Sequence, residues 1–183
     1  MFFIGLDLGQ RVDFTAFAIV ERHDYYKDHL DVRWLERMPL GTPYTAVVRR
    51  AEEIAEKLYG RCEMAVDATG LGAPVVDLLR NGPMRCGLSP VVITGAGKAH
   101  SSGGRFYVPK KDLVAGLQLL LEKQELRIAA RLREARALAR ELIDMRMNGS
   151  QETHDDLVLA LALACWLAGR PTNGFGGGRL PGF

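Results

Sequence analysis

Residues 2–8 (FFIGLDL) are apolar up to Asp7, and residues 14–22 (FTAFAIVER) are rich in β-branched and aromatic side chains. The Gly-Gln-Arg-Val-Asp segment between them carries turn chemistry, so the pair predicts a β-hairpin. In residues 31–38 (DVRWLERM), Val32, Trp34 and Glu36 alternate with Arg33, Leu35 and Arg37. A period of two predicts a third strand, at a sheet edge with one wet face. The chain therefore opens as an antiparallel meander.

The period then changes. Val47, Val48, Ala51, Ile54, Ala55 and Leu58 recur at three and four residues, with Arg49, Arg50, Glu52, Glu53 and Glu56 opposite them, which predicts an amphipathic helix. Residues 63–67 (EMAVD) predict a buried strand ending in Asp67. A Gly-rich turn (ATGLGAP) follows, then a helix with Pro74 near its first turn and Val75, Val76, Leu78 and Leu79 along it. Pro90 to Thr94 predicts another strand, and residues 95–109 a long polar loop. From Lys110 the helical period returns through Leu113, Leu117, Leu120 and Leu121, and a short LRI segment (126–128) precedes a charged helix over roughly 130–147. On that helix Leu138, Leu142 and Met145 mark the buried side, while Glu134, Arg136, Arg140, Glu141 and Arg146 are expected in solvent. Leu157 to Ala168, after Thr153-His154-Asp155-Asp156, is nearly all apolar and predicts a buried helix. The order predicts an α/β fold, a mixed sheet with helices packed on it. Residues 171–183 (PTNGFGGGRLPGF) predict a flexible Gly/Pro-rich tail, which leaves residues 1–170 as the domain.

Composition narrows the function classes. The chain has 183 residues, 48% of them apolar and 25% charged, which is ordinary globular composition and excludes a disordered, collagen-like or coiled-coil protein. A formal charge of +2 is too small to argue by itself for a nucleic-acid partner. Three cysteines (Cys62, Cys86, Cys165) without a CxxC pair fit reduced thiols in a cytoplasm and exclude a structural zinc motif of usual spacing. The N-terminus lacks the pattern of a signal peptide, and the longest apolar run falls short of the ~20 residues that cross a bilayer, so no membrane partner is expected.

The informative feature is where the acids fall. Asp7 and Asp67 each end an apolar strand, and Asp155-Asp156 opens a buried helix. Singly, each has a structural explanation: a turn residue for Asp7, an Asx-turn or helix cap for Asp67, an N-cap for Asp155 or Asp156. Together, carboxylates at adjoining element ends repel one another, and a divalent cation resolves that repulsion. Hard oxygen donors without a His or Cys cluster select magnesium or manganese, and two such ions promote phosphodiester hydrolysis. Asp13 and Asp77 fit turn and solvated roles.

The sequence resembles the nuclease domain of phage large terminases, a branch of the RNase H-like superfamily. The resemblance is carried in order by GLDLGQRVDFTAFAIV, VDATGLGAPVVDLL, VPKKDLVAGLQLLLEKQELRI and ETHDDLVLALALA, and covers most of residues 3–168. It implies a mixed five-stranded sheet, the first three strands antiparallel, flanked by helices, and a two-metal DNA endonuclease using Mg²⁺ or Mn²⁺. By motif position Asp7 would bridge both ions, Asp67 would be the second-strand ligand, and the Asp155-Asp156 pair would supply the third carboxylate. His154 has two readings, an exposed histidine or a residue that positions a phosphate or water. Leu159 stands where related nucleases carry another acid. A complete large terminase also has an ATPase motor, but no GxxxxGK[ST] occurs here; GAGKAH at 95–100 lacks both the spacing and the hydroxyl residue. A motor on another domain or chain, a small terminase and a portal are the partners the resemblance implies, in the cytoplasm of a host cell if the gene is phage or prophage encoded.

Double-stranded DNA would be held by Lys98, His100, Arg105, Lys110 and Lys111, interleaved with Phe106 and Tyr107, or these are simply solvated charges. Contacts of this kind grip phosphates without reading bases, so low sequence specificity is expected. Two alternatives share parts of the pattern. GLDLG and DATGLG also resemble the phosphate loops of actin-like and sugar-kinase-like ATPases, and a Holliday-junction resolvase would share both fold and acids.

Overall fold

The computed structural model describes residues 1–9, 13–23, 29–70, 72–148 and 155–170, of which 146–148 by their backbone alone. In chain order the elements are β1 (Phe2–Asp7), β2 (Ala16–Arg22), β3 (Leu30–Arg37), α1 (Tyr44–Lys57), β4 (Cys62–Asp67), α2 (Gly72–Asn81) and β5 (Gly87–Thr94). They continue with β6 (His100–Ser102), β7 (Arg105–Pro109), α3 (Lys110–Glu122), β8 (Leu126–Ile128), α4 (Ala135–Asn148) and α5 (Asp156–Ala168).

All eight strands form one sheet in the order β6-β7-β5-β4-β1-β2-β3-β8. Its centre is the expected mixed sheet: β1, β2 and β3 pair antiparallel, and β4 and β5 join parallel on the other side of β1. Three short strands lengthen it beyond the five expected. β7 pairs parallel with β5, β6 antiparallel with β7, and β8 parallel with β3. The stretch 95–109 is thus not all loop. Gly103 (φ 57°) and Gly104 (φ 72°) supply positive φ at both central positions of the two-residue turn that joins β6 to β7, which side chains with a Cβ adopt reluctantly.

Alternation along the strands feeds two cores. Ile4, Leu6, Phe17, Ile19, Met64 and Val66 pack against α1 and α2, while Phe3, Ala18, Val20, Val32 and Ala65 pack against α3, α4 and α5. Helix α5 is apolar all round because β1 and β2 cover it on one side and α3 and α4 on the other. Its Leu157, Leu161 and Leu163 are fully buried, each contributing about 1.5–3 kcal/mol relative to exposure. Among the described residues no helix is long and apolar enough to cross a membrane.

Strand β3 departs from strict alternation. Ile19 pairs with Trp34 but Val20 pairs with Val32, so Arg33 is a bulge and every residue beyond it changes face. Leu35 consequently joins Val32 in the core below α5, whereas Trp34 is 44% exposed. Glu36 turns to the α1 side, where Arg50 binds it at 2.8 Å. Nor is β3 the sheet edge along its first residues, since β8 pairs with Leu30, Asp31 and Val32.

Candidate active site

Asp7 is the last residue of β1 and shares a face with Phe3 and Gly5. Helix α5 lies directly over that face: a Cβ on Gly5 would meet backbone atoms of Ala160 and Ala164. Asp156 stands one helical turn before Ala160, and Asp7 two residues beyond Gly5, so the packing carries both acids to the same end of the molecule. Both are buried, at 6% and 4% exposure. Strand β4 runs parallel to β1, and the Leu6–Val66 pairing sets Asp67 next to Asp7.

Asp67 is anchored locally as well. Its Oδ1 accepts the Thr69 N–H at 2.8 Å, the Asx-turn geometry considered for it, while Thr69 Oγ1 accepts the Ile93 N–H from β5. Gly72 permits the sharp entry into α2, because a Cβ there would sit 2.3 Å from the Asp67 carbonyl oxygen. Asp155 is the N-cap of α5, and its carbonyl accepts the Leu159 N–H at 2.8 Å. Its carboxylate makes no cap hydrogen bond and lies 2.6 Å from Lys110 Nζ instead.

The electrostatics follow from this convergence. Burial, then repulsion from Asp67, Asp156 and Asp155 in that order, hold the Asp7 carboxyl well above the usual aspartate range, with Lys110 opposing. Burial also raises Asp67, against the hydrogen bonds from Thr69. Clustered hard-oxygen donors whose charges oppose one another's ionisation fit a divalent cation. Among the described residues, however, no three His, Cys, Asp or Glu side chains converge tightly enough to form a ready-made cage.

Two further residues adjoin the acids, and sequence reasoning placed neither there. Glu141 of α4, expected in solvent, is 5% exposed; its Oε2 accepts the Val158 N–H at 3.0 Å, and its other oxygen contacts the Arg37 guanidinium. Arg37, at the end of β3, stacks over Phe14 and reaches to 4.0 Å from Asp156 Oδ2. A signal for Glu141 was present: Leu138, Glu141, Leu142 and Met145 recur at helical spacing along one stripe.

The basic cluster divides. Lys98, His100 and Lys111 are exposed and Arg105 is half-buried on β7, with His100 stacked on Tyr107 and its Nδ1 at 3.1 Å from the Lys98 carbonyl oxygen. Lys110, which follows β7 directly, is turned to Asp155 and belongs to the acidic site. Phe106 packs edge-on against Trp166, with Arg170 over both rings, so it serves the scaffold. His154 and the expected tail 171–183 lie outside the described residues.

No protein-family model matches the sequence, and no curated protein is detectably similar to it. Solved structures do match. The nuclease domain of the g2p large terminase from bacteriophage SPP1, solved with bound Mn, superposes with a TM-score of 0.58 at 15% identity, covering 89% of this chain and 84% of that one. The P22 large terminase nuclease domain superposes with a TM-score of 0.56 at 12% identity, covering 88% and 79%. This chain therefore has the fold of the large terminase nuclease domains.

Proposed function

We propose that the chain is a divalent-metal-dependent DNA endonuclease of low sequence specificity, in which Asp7, Asp67, Asp155 and Asp156 hold two magnesium or manganese ions. The observation that carries this is the convergence of four carboxylates from three elements on one end of the molecule, with buried Asp7 at their electrostatic centre. The Mn in the SPP1 domain supports the choice of cation. Bound there, the pair of ions would activate water and stabilise the leaving oxygen of a phosphodiester.

The protein's own groups have separable tasks. Asp7, between β2 and β4 and under α5, is the natural shared ligand, because the sheet fixes its backbone on both sides. Asp67 is preoriented through one oxygen by Thr69, which leaves the other for an ion. Lys98, Arg105 and Lys111 would grip phosphates without reading bases. His154 is proposed to position a phosphate or water. Within a packaging assembly the chain would cut concatemeric DNA beside a separate ATPase domain or chain, a small terminase and a portal, in the host cytoplasm.

The test is nicking and linearisation of supercoiled plasmid with Mn²⁺, Mg²⁺ or EDTA by the wild type, Asp7→Asn and Asp67→Asn prepared identically. Metal-dependent cleavage lost in both variants is expected. Equal cleavage by all three would overturn the assignment.

A further inference from the structure

The first turn of a helix leaves N–H groups without partners inside the helix, and an Asp at the N-cap ordinarily accepts one from the second or third helical residue. In α5 the N-cap is Asp155, yet the N–H of the third residue, Val158, goes to Glu141 Oε2 of α4 at 3.0 Å. The cap is thus supplied from another helix. A carboxylate as buried as Glu141 is costly unless compensated, and the Arg37 guanidinium and the helix terminus both compensate it. Arg37 also extends to 4.0 Å from Asp156 Oδ2, so Val158, Glu141, Arg37 and Asp156 form one chain of contacts around the start of α5.

We infer that Glu141 and Arg37 are positioning residues for the acidic pair: Glu141 relieves Asp155 of capping so that its carboxylate faces the site, and holds Arg37 so that the guanidinium orients Asp156 without neutralising it. This rests on Asp155 and Asp156 being cation ligands. Glu141→Gln keeps an acceptor for Val158 but removes the charge that restrains Arg37, which then turns onto Asp156 and competes with a cation. Glu141→Ala removes the cap as well, and the Asp155 carboxylate folds back onto the helix.

The experiment is calorimetric titration of the full chain with Mn²⁺, alongside cleavage as a function of Mn²⁺ concentration and thermal melting without metal. Glu141→Gln is expected to bind Mn²⁺ about tenfold or more weakly, the effect usual for partners that orient metal ligands, with cleavage returning toward wild type at high Mn²⁺. Glu141→Ala should show weakened binding and a lowered melting temperature, and exposed Arg140→Gln neither. If Glu141→Gln does not fold, Arg37→Lys, which keeps the charge and loses the paired geometry, takes its place with the same expectation. Mn²⁺ binding by these variants equal to a binding wild type would reduce Glu141 and Arg37 to scaffold and overturn the inference alone. Absence of Mn²⁺ binding and cleavage in the wild type would overturn both the inference and the nuclease assignment.

Discussion

Gly5 of β1 and Ala160 of α5 meet backbone to backbone: a Cβ built on Gly5 would lie 1.8 Å from the Ala160 carbonyl oxygen and 2.7 Å from the Ala164 nitrogen. Neither atom is the end of a flexible side chain, so α5 must lift from the sheet to admit even a methyl group. Gly5→Ala should therefore cost stability at or above the upper end of the ~1–3 kcal/mol typical of overpacking. It should also separate Asp7 from Asp156 and abolish cleavage. Urea denaturation checks the first effect, and an unchanged midpoint would show that the two elements are not locked at this point.

Asp7→Asn removes a buried, repelled charge and almost no volume. In metal-free buffer near neutral pH the variant should melt higher than wild type, by roughly the 2–4 °C that one kcal/mol makes in a domain of this size, while losing all cleavage. Loss of activity with a lowered melting temperature would indicate instead that the carboxylate supports the fold.

The sign of the pH dependence follows from the raised Asp7 carboxyl. Below the unfolded-state value of about 3.9 both states are protonated, and as pH rises toward the folded-state value the native protein holds the proton longer. Asp7 thus contributes stability at low pH that is lost as pH passes through its folded-state value, and Asp67 acts in the same direction. The melting difference between wild type and Asp7→Asn, taken from pH 4 to 8 without metal, should widen with pH in favour of the variant. Saturating Mn²⁺ should reverse the ordering at neutral pH, since only wild type gains its full binding energy.

Lys110 and Lys111 are neighbours with opposite expected behaviour. Lys110→Ala removes the ammonium group 2.6 Å from Asp155 and should tighten Mn²⁺ binding. Exposed Lys111→Ala should leave Mn²⁺ binding unchanged and lower the salt dependence of DNA binding by about 0.9 in log–log slope, the share of one phosphate contact. Calorimetry and filter binding at several salt concentrations separate the two.

The placement of Asp7 and Asp67 at strand ends, and of Asp155-Asp156 at the start of α5, was legible in the sequence because each acid adjoins an apolar run. The meander was legible from its strand patterning and the turn between its first strands, and the buried α5 from its nearly unbroken apolar run. What escaped was written in longer-range terms. Arg37 was hidden by the Arg33 bulge, which inverts the alternation beyond Val32. Glu141 was hidden by its charged neighbours on α4, since charge suggests solvent unless a partner such as Arg37 is foreseen. The β6–β7 hairpin escaped because its strands are short and β6 is polar; the Gly103-Gly104 turn and the Phe106-Tyr107-Val108 run after it were its local signs.

The bulge at Arg33 makes β3 a strand whose length matters more than its composition. Exchanging the side chain at that position leaves the parity of the following residues intact. Deleting Arg33 would keep Trp34 opposite Ile19 and Arg37 opposite Ala16, whereas deleting Leu35, beyond the bulge, would send Arg37 to the α1 layer and bring Glu36 beneath α5, so that an acid replaced the base beside Asp156. The register of the residues beyond the bulge thereby sets the sign of the charge beside Asp156, and insertions or deletions between Trp34 and Arg37 should be far less tolerated than substitutions.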